Sequence, residues 1–384
     1  MRKGWEYKKL GEVCTIKAGY TPKKNELSDN GAYPYYKVAD MNTLGNDVYL
    51  DITSSYKIDA NKLFPKGAIV FPKNGAAVST NKKRILKYDS IVDLNTGVAI
   101  FPKSINEKFA YYWFIDTDFK KYVRGGALPT LDIKSLKDKP FPSIDKSIQL
   151  AIVSELDKIN ELIRLKKEQL KDFDNLAQSL FYEMFGDPME NEKGWEVKKL
   201  GEIGEVKTGN TPSRSNDNFY NEKFIEWIKT DNIRNEQMNP TTAAEYLSRE
   251  GAECGRIVSK GSILVACIAG SLSSLGKCCI TTKNVAFNQQ INAITPYGDF
   301  CNSIYLYELI RNSYKYIQQN ATTGMKHILS KSIFEKMKFP FPPLPLQRLF
   351  AQRIEQIERE KSEVQKSIQD LETLLASRMQ YWFE

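Results

Sequence analysis

Apolar residues recur at intervals of three and four along two stretches of the chain, residues 145–185 and 345–384. This spacing places them on one stripe of a helix, as in the seam of a coiled coil. Each stretch is long enough for about 60 Å of helix, and an apolar stripe of that length needs a partner. We expect the two helices to pack together, although an external protein could share the same surface. The expected seam residues are Leu156, Ile159, Ile163, Leu170, Phe173, Ile354, Ile357, Val364, Ile368 and Leu371.

The remaining residues, 1–144 and 186–344, follow a different pattern. Short runs of β-branched and aromatic residues alternate there with Gly, Pro and Asn, as in residues 67–72 and 261–266. Such runs predict strands joined by turns, with a few helices among them. The sequence therefore predicts an α+β fold with two globular domains, 1–144 and 186–344, each followed by one long helix.

The two predicted domains are copies of one another. The string Gly-Trp-Glu-x-x-Lys-Leu-Gly-Glu occurs at residues 4–12 and again at 194–202, and a Lys-x-Gly-x-Thr-Pro stretch follows each copy. The offset between matching positions grows from 190 residues here to 198 at Gln149 and Gln347, as small insertions in the second copy would produce. We interpret the chain as a tandem duplication over essentially its whole length.

The positive charge is concentrated in the globular parts. Residues 1–144 carry a net charge of +9 and residues 186–344 carry +2, whereas the two helical stretches carry −2 and −1. Basic domains joined by nearly neutral helices are typical of a protein that reads a nucleic-acid duplex. The second domain has little net charge, so it needs a local basic patch to bind in this way.

No motif for catalysis is found. The catalytic Asn/Asp-Pro-Pro-aromatic string of DNA amino-methyltransferases is absent, and residues 270–277 miss the phosphate-loop spacing by one residue. His327 is the only histidine, which makes a histidine-based triad unexpected. None of the six cysteines forms a C-x-x-C pair, so we expect buried apolar thiols and no metal site. We also expect no signal peptide and no membrane span, hence a cytoplasmic protein.

Taken in order, and twice over, these features resemble the specificity (S) subunit of type I restriction–modification systems. They are the Gly-Trp-Glu-x-x-Lys-Leu-Gly-Glu opening, the Gly-x-Thr-Pro turn and an aromatic-Pro element before a long helix, at 141–142 and 339–340. The resemblance covers the full length. It implies two target-recognition domains separated by spacer helices that pack as an antiparallel coiled coil, with a pseudo-two-fold relation between the halves.

The resemblance also implies partners. In that family the S subunit reads a bipartite, asymmetric site on double-stranded DNA, two methyltransferase subunits flank it, and motor-nuclease restriction subunits can join. The chemistry, adenine methylation and cleavage, and its cofactors S-adenosylmethionine, ATP and Mg²⁺, belong to those subunits. We therefore expect this chain to be non-catalytic and to bind no cofactor.

Candidate DNA contacts lie in the predicted turns, where Arg and Asn suit base edges and Lys suits phosphates. These turns differ between the two copies, as readers of different sequences should. Trp5 and Trp195 occupy matching positions, which favours a structural role over base stacking. The candidates are Lys23, Lys24, Lys37, Asn42, Lys73, Asn74, Arg124, Arg214, Lys229, Asn232, Arg234, Lys277 and Lys326.

Two other hypotheses remain open on the sequence. One is a DNA enzyme, such as a nickase, whose active site matches no motif that we tested. The other is an orphan DNA-binding protein or protein-scaffolding adaptor with no restriction partner. An adaptor that binds no DNA predicts a shallow salt dependence and no sequence preference, whereas a DNA reader loses affinity steeply with salt because its phosphate contacts release counterions.

Overall fold

The computed structural model describes residues 2, 4–57, 62–125, 128–234, 237–322, 324 and 326–384. The chain forms two compact units. Unit 1 comprises Met1–Lys167 and Lys366–Glu384, and unit 2 comprises Glu168–Gln365. Each unit therefore contains one copy of the repeat and part of both long helices.

In the first half of the chain, the described residues form short strands, three short α-helices, four 3-10 turns and one long helix. The helices are α1 (Leu10–Val13), α2 (Glu107–Asp116), α3 (Ile133–Lys137) and α4 (Lys146–Phe185). The strands are β1 (Glu6–Lys9), β2 (Thr15–Ala18), β3 (Tyr33–Tyr36), β4 (Tyr49–Leu50), β5 (Tyr56–Lys57), β6 (Ile69–Pro72), β7 (Arg84–Leu86), β8 (Ile91–Val92), β9 (Thr96–Ile100), β10 (Val123–Arg124), β11 (Thr130–Leu131) and β12 (Pro140–Ser143).

The second half repeats this order with small changes. Its helices are α5 (Leu200–Ile203), α6 (Arg249–Cys254), α7 (Ser303–Asn312), α8 (Tyr314–Gln319), α9 (Lys331–Lys336) and α10 (Leu344–Phe383). Its strands are β13 (Glu196–Lys199), β14 (Gly204–Thr208), β15 (Ile225–Ile228), β16 (Tyr246–Leu247), β17 (Ile257–Val258), β18 (Ile263–Ala266), β19 (Ile268–Ala269), β20 (Cys278–Ile280), β21 (Val285–Phe287), β22 (Ile291–Pro296), β23 (His327–Ile328) and β24 (Lys338–Phe341).

Unit 1 contains a five-stranded sheet in the order β2-β9-β6-β7-β4 and a three-stranded sheet in the order β5-β3-β8. Its main core lies between the larger sheet and α2, where Phe71, Trp113 and Phe141 are fully buried. The Asn106 side chain caps the start of α2 by accepting hydrogen bonds from two backbone N–H groups. The first strand of the repeat, β1, pairs with β12 just before α4 begins.

Unit 2 follows the same plan, with four-stranded sheets β14-β22-β18-β20 and β16-β15-β21-β17. Asn302 caps α7 as Asn106 caps α2, and β13 pairs with β24 as β1 pairs with β12. Among the described residues, the position of β4 is taken in unit 2 by a backbone hydrogen bond from Ile280 N to Met238 O at 2.7 Å, without a named strand. The predicted α+β tandem repeat is therefore confirmed.

The long helices pair within each unit. In unit 1 the Trp382 indole near the end of α10 donates to Glu155 near the start of α4, over 3.0 Å. In unit 2 Phe350 near the start of α10 packs on Phe181 near the end of α4, with ring centroids 5.8 Å apart. The start of each helix thus lies against the end of the other, which makes the pair antiparallel. Within the described ranges, neither helix is apolar enough to cross a membrane.

The predicted seam residues lie on the packed faces of these helices. Leu170, Phe173 and Leu371 are half-buried. The fully buried ones are Leu156, Ile159, Ile163, Ile354, Ile357, Val364 and Ile368.

One buried glutamine anchors each long helix to its globular part. The Gln149 side chain accepts from Asn106 N at 2.8 Å and donates to the Ile144 carbonyl at 2.9 Å. The Gln347 side chain accepts from Asn302 N at 2.9 Å and donates to the Pro342 carbonyl at 2.8 Å. Because buried polar groups need partners, each amide fixes the angle at which its helix leaves the sheet region.

The two tryptophans of the repeated motif also contact a helix end. The Trp195 indole donates to the carbonyl of Phe185, the last residue of α4, over 2.9 Å. Trp5 stacks on Trp382 near the end of α10, with centroids 6.0 Å apart. Both side chains therefore have a structural role in these contacts. Of the cysteines, only Cys254 is exposed, and burial raises the pKa of Cys14 to about 12.

Candidate nucleic-acid interface

The turns that follow β2, β3, β6 and β8 meet at one edge of unit 1. Asp93 N donates to the Tyr36 carbonyl at 3.0 Å, and Lys73 N donates to the Asn95 carbonyl at 2.8 Å. Asn74 forms a bridge with Thr130 of β11, which joins β10 to the same edge. We call this set the turn edge of unit 1: Lys23, Lys24, Lys37, Lys73, Asn74, Leu94, Asn95 and Arg124.

Unit 2 has the equivalent edge. Asn288 N donates to the Ile228 carbonyl at 3.0 Å, and Cys267 N donates to the Gln290 carbonyl at 2.8 Å. These two bonds match those of the first copy in element and direction. We call this set the turn edge of unit 2: Arg214, Lys229, Arg234, Lys277, Gln289, Gln290 and Lys326.

In each copy, the glycine of the Lys-x-Gly-x-Thr-Pro motif allows two backbone segments of the turn edge to pack closely. A Cβ atom on Gly19 would lie 2.1 Å from the Asp93 carbonyl oxygen, and one on Gly209 would lie 2.2 Å from the Asn288 carbonyl oxygen. No side chain fits at such a distance, so the motif needs glycine where its backbone crosses the end of β8 or β21. The Thr-Pro turn that follows is thereby placed directly beside the 93–95 or 288–290 turn.

Most cations of the turn edge of unit 1 face solvent. Lys23, Lys24 and Lys37 are exposed, and in the part of the chain that the structure describes no carboxylate lies within ion-pairing distance of them. Lys37 Nζ lies 5.7 Å from the Tyr35 ring centroid. Arg124 differs, because it forms an ion pair with Asp132.

Two amides of the first copy are already engaged. The Asn74 side chain donates to Asn95 Oδ1 over 3.4 Å, which is a weak contact that a base edge could replace. Asn42 accepts from Lys82 on the connection between β6 and β7. This hydrogen bond ties Asn42 to the β6–β7 connection.

The cations of the second copy are arranged differently. Arg214 and Lys229 both pair with Glu245, the former at 2.5 Å. Both also lie over Trp227, at 4.7 and 4.9 Å from its ring centroid. The hydrogen bonds from Lys229 and Arg214 lower the pKa of the Glu245 carboxyl. This cluster is held in place and partly neutralised before any ligand arrives.

The structure argues against one candidate. Asn232 is buried, and its amide nitrogen lies within 3.1–3.4 Å of acceptors on Thr241 and Thr242. Its oxygen accepts from Lys229 N at 3.0 Å. An amide with its donors and acceptor satisfied inside the fold holds a loop, so we withdraw Asn232 as a base-reading residue.

Two other candidates of the second copy, Arg234 and Lys277, line an open cleft of about 450 Å³. Asp231, Gln290 and residues of β19 and of the glycine-rich segment at 270 line it with them. Lys326 is exposed just before β23, the strand that pairs with β19. The cleft thus combines one amide, one carboxylate and two cations, polar groups that can meet a base edge, with the cations suited to a nearby phosphate.

Sequence reasoning missed the residues between β8 and β9 and between β21 and β22. Leu94, Asn95, Gln289 and Gln290 lie there, at the centre of their edges. It also missed Glu245, which pairs with Arg214 and Lys229. The only sequence signal for these turns is their position directly after a short apolar strand.

The chain matches a known family model twice. The model describes a type I restriction modification DNA specificity domain, and the matches cover residues 2–172 and 192–373.

Two curated relatives have related sequences. The specificity subunit of the HindI type I restriction enzyme of Haemophilus influenzae is 27% identical over 277 residues, which are 70% of this chain and 58% of that protein. The MjaIX specificity subunit of Methanocaldococcus jannaschii is 28% identical over 249 residues, 55% of this chain and 54% of that protein. The matched regions therefore span a little over half the length of these relatives.

Two solved structures share the fold. An S subunit of a type I restriction–modification system from M. genitalium has a TM-score of 0.56 at 15% identity, covering 99% of this chain and 96% of its own. A chain from a study of complex assembly and conformational transition of the type I R-M system has a TM-score of 0.65 at 18% identity, covering 100% and 98%.

Proposed function

Because the chain belongs to the family of type I restriction modification DNA specificity domains, we propose that it is the DNA-reading specificity subunit of a type I restriction–modification complex. The target is a bipartite, asymmetric site on double-stranded DNA. One copy of the repeat reads each half, and α4 and α10 set the unread gap between the halves.

One observation carries this proposal: the same fold occurs twice, with different side chains on equivalent turn edges. Lys23 and Lys24 follow the Thr-Pro turn in the first copy, where Ser213 and Arg214 follow it in the second. Phosphate contacts position a protein on DNA, whereas side chains at base edges select the sequence. Equivalent backbones with unlike side chains suit two readers of unlike half-sites.

The partners are two methyltransferase subunits, with restriction subunits able to join. Large apolar residues remain exposed on the long helices, among them Leu162, Leu165 and Leu176 on α4 and Leu349 and Leu374 on α10. Exposed leucines at this density favour a protein surface as their cover. S-adenosylmethionine, ATP and Mg²⁺ act in those subunits, and this chain positions them on DNA without a catalytic step of its own.

The test is single-molecule methylome sequencing of a host that expresses the cognate methyltransferase, with and without this chain. We expect adenine methylation at one bipartite asymmetric motif only when the chain is present. An unchanged methylome, with the methyltransferase confirmed as expressed, contradicts the proposal and favours the adaptor hypothesis.

Two further measurements separate the alternatives. Purified chain incubated with Mg²⁺ or S-adenosylmethionine should neither nick nor methylate DNA, and activity in either assay favours a DNA enzyme. Exchanging residues 1–144 for those of a relative should change one half of the target only. If both halves changed, the modular arrangement would be wrong.

A further inference from the structure

The turn between β8 and β9 and the turn between β21 and β22 have the same backbone but different side chains. In the first, Asn95 N donates to Asp93 Oδ1 at 3.0 Å, and in the second, Gln290 N donates to Asn288 Oδ1 at 3.1 Å. The residue at the tip of the turn is Leu94 in one unit and Gln289 in the other.

Neighbouring segments hold both turns in place. The tip residue contacts the threonine of the Thr-Pro turn in each copy: Leu94 N donates to Thr21 Oγ1 at 3.3 Å, and Thr211 Oγ1 donates to Gln289 Oε1. The carbonyl of the following residue, Asn95 or Gln290, accepts from the residue directly after β6 or β18, as described above for both edges. Each turn is therefore fixed on two sides, which limits the conformational entropy lost when it contacts a ligand.

Most of the side chains on these turns are exposed. Leu94 is 53% exposed in the middle of a polar edge, and Asn95 and Gln289 are also exposed. The amide oxygens of Asn95, Gln289 and Gln290 each accept a hydrogen bond within the fold, from Asn74, Thr211 and Asn288. Asn and Gln amides can bond adenine in pairs, and an aliphatic side chain can pack on the methyl group of thymine. The two turns therefore offer different chemistry from one geometry.

Cations flank both turns. Lys73, whose backbone N–H bonds the Asn95 carbonyl, lies beside the first turn, and Arg234 and Lys277 line the cleft that Gln290 also lines. A base-reading side chain with cations beside it can lie at a base edge while the cations bind the backbone phosphates.

We propose that these turns are specificity determinants for the two half-sites: Leu94 and Asn95 read bases in the half bound by unit 1, and Gln289 and Gln290 read bases in the half bound by unit 2. This inference rests on the proposed function of the chain. Beyond that function, the inference identifies the side chains that select the DNA sequence. The lysines around them bind DNA without selecting its sequence.

The experiment gives the first turn the side chains of the second. Leu94→Gln with Asn95→Gln is expressed together with the methyltransferase, and the methylome is sequenced. We expect the methylated motif to change at one to three positions of one half, while the other half and the gap stay as they were. The reciprocal pair, Gln289→Leu with Gln290→Asn, should change the opposite half.

The matched control is Tyr88→Gln, an exposed residue in the turn before β8, at the other end of that strand. It should leave the motif unchanged. An unchanged motif in both double variants, with the complex intact, overturns the inference. If the wild-type chain itself gives no bipartite motif, the proposed function has failed instead.

If a double variant gives no methylation, a DNA-binding experiment decides whether the inference holds. The purified complex is competed with duplexes that are randomised in one half at a time. Loss of preference in the altered half, with at least tenfold preference kept in the other, supports the inference. Full preference in both halves, or loss in both, overturns it.

Discussion

In unit 1 Ser55 directly precedes β5, the strand beside β3, whereas in unit 2 Glu245 directly precedes β16, the strand beside β15. The match is fixed by backbone bonds, because Tyr35 N donates to the Ser55 carbonyl at 2.8 Å and Trp227 N donates to the Glu245 carbonyl at 3.1 Å. Glu245 pairs with Lys229. The corresponding Lys37 has Asp40 near its backbone, which accepts from Lys37 N at 2.7 Å, but within the described ranges no carboxylate forms an ion pair with its ammonium group. The two copies share the plan of their sheets, but the charged side chains at their turn edges differ.

This difference is one part of the unequal charge of the two copies, which is +9 over residues 1–144 and +2 over 186–344. At its turn edge the first copy presents Lys23, Lys24 and Lys37, which form no ion pair within the described ranges; on the proposed function they bind phosphate and lose affinity with salt. The second copy holds Arg214 and Lys229 against Glu245 and aromatic rings. This favours contacts in a fixed orientation over general attraction to the DNA backbone. The first copy should therefore supply more of the salt-dependent binding.

The largest expected effect tests what the copies share. Gly19→Ala and Gly209→Ala each place a Cβ about 2 Å from a backbone carbonyl, so each should destabilise its own unit by roughly 3 kcal/mol and weaken reading of its half-site. Denaturant unfolding of the full chain, with hydrogen exchange to locate the change, measures this. Gly298→Ala, which meets nothing within 4 Å, is the control. If only one of the two glycine substitutions is strongly destabilising, the backbone packing around the Thr-Pro turn is not equivalent in the two copies.

The next effect concerns one lysine position. Burial lowers the pKa of Lys83 to about 7, from 10.5, and its Nζ donates to the Thr117 carbonyl at 2.8 Å. The matching residue Lys277 is half-exposed at the cleft. Between pH about 7 and 10.5 the unfolded state binds the Lys83 proton and the native state does not, so stability should rise with pH across this window by a few kcal/mol.

Denaturant unfolding at several pH values from 6 to 10 tests this. Lys83→Met should remove most of the rise in stability with pH. A smaller part of the rise should remain, because burial also lowers the pKa of Lys139. Lys277→Met should leave the rise intact. Equal loss of the rise in both variants would contradict the difference between the two copies.

The smallest effect tests the acid directly. Ser55→Glu should give Lys37 a partner, reduce the slope of log K against log salt by about 1, and weaken binding several-fold at low salt. Glu245→Ser should free Lys229 and Arg214 and raise the slope by about 1 to 2. Fluorescence anisotropy of the assembled complex on its target duplex measures both. Ser55→Ala is the matched control, and slopes that do not move in opposite directions would refute the masking role of Glu245.

The sequence alone predicts the parts of this fold that depend on local spacing. Forty residues with apolar positions every three or four permit only a long helix, and matching motifs reveal the duplication. Strand pairing could not be predicted in the same way: β2 pairs with β9, so that Thr15 lies opposite Ile100. No local pattern encodes a contact across that distance in the chain.

Residue type alone pointed to the basic turns but not to the side chains that pair with the residues in them. Asn232 has the right chemistry for a base edge, yet its burial depends on Thr241 and Thr242 in the next segment. The acid that engages Arg214 lies 31 residues away from it. Whether a polar side chain is free or already satisfied is decided by such non-local contacts.

The most direct test of the central claim, that each copy reads one half of the target independently, is a chain in which residues 4–143 replace residues 194–341. Both copies then carry the first turn edge, and α4 and α10 are unchanged. Methylome sequencing with the methyltransferase should give a palindromic motif, in which one original half occurs twice in inverted orientation around the same gap. A motif that stays asymmetric, or that keeps the half assigned to the removed copy, would contradict the account.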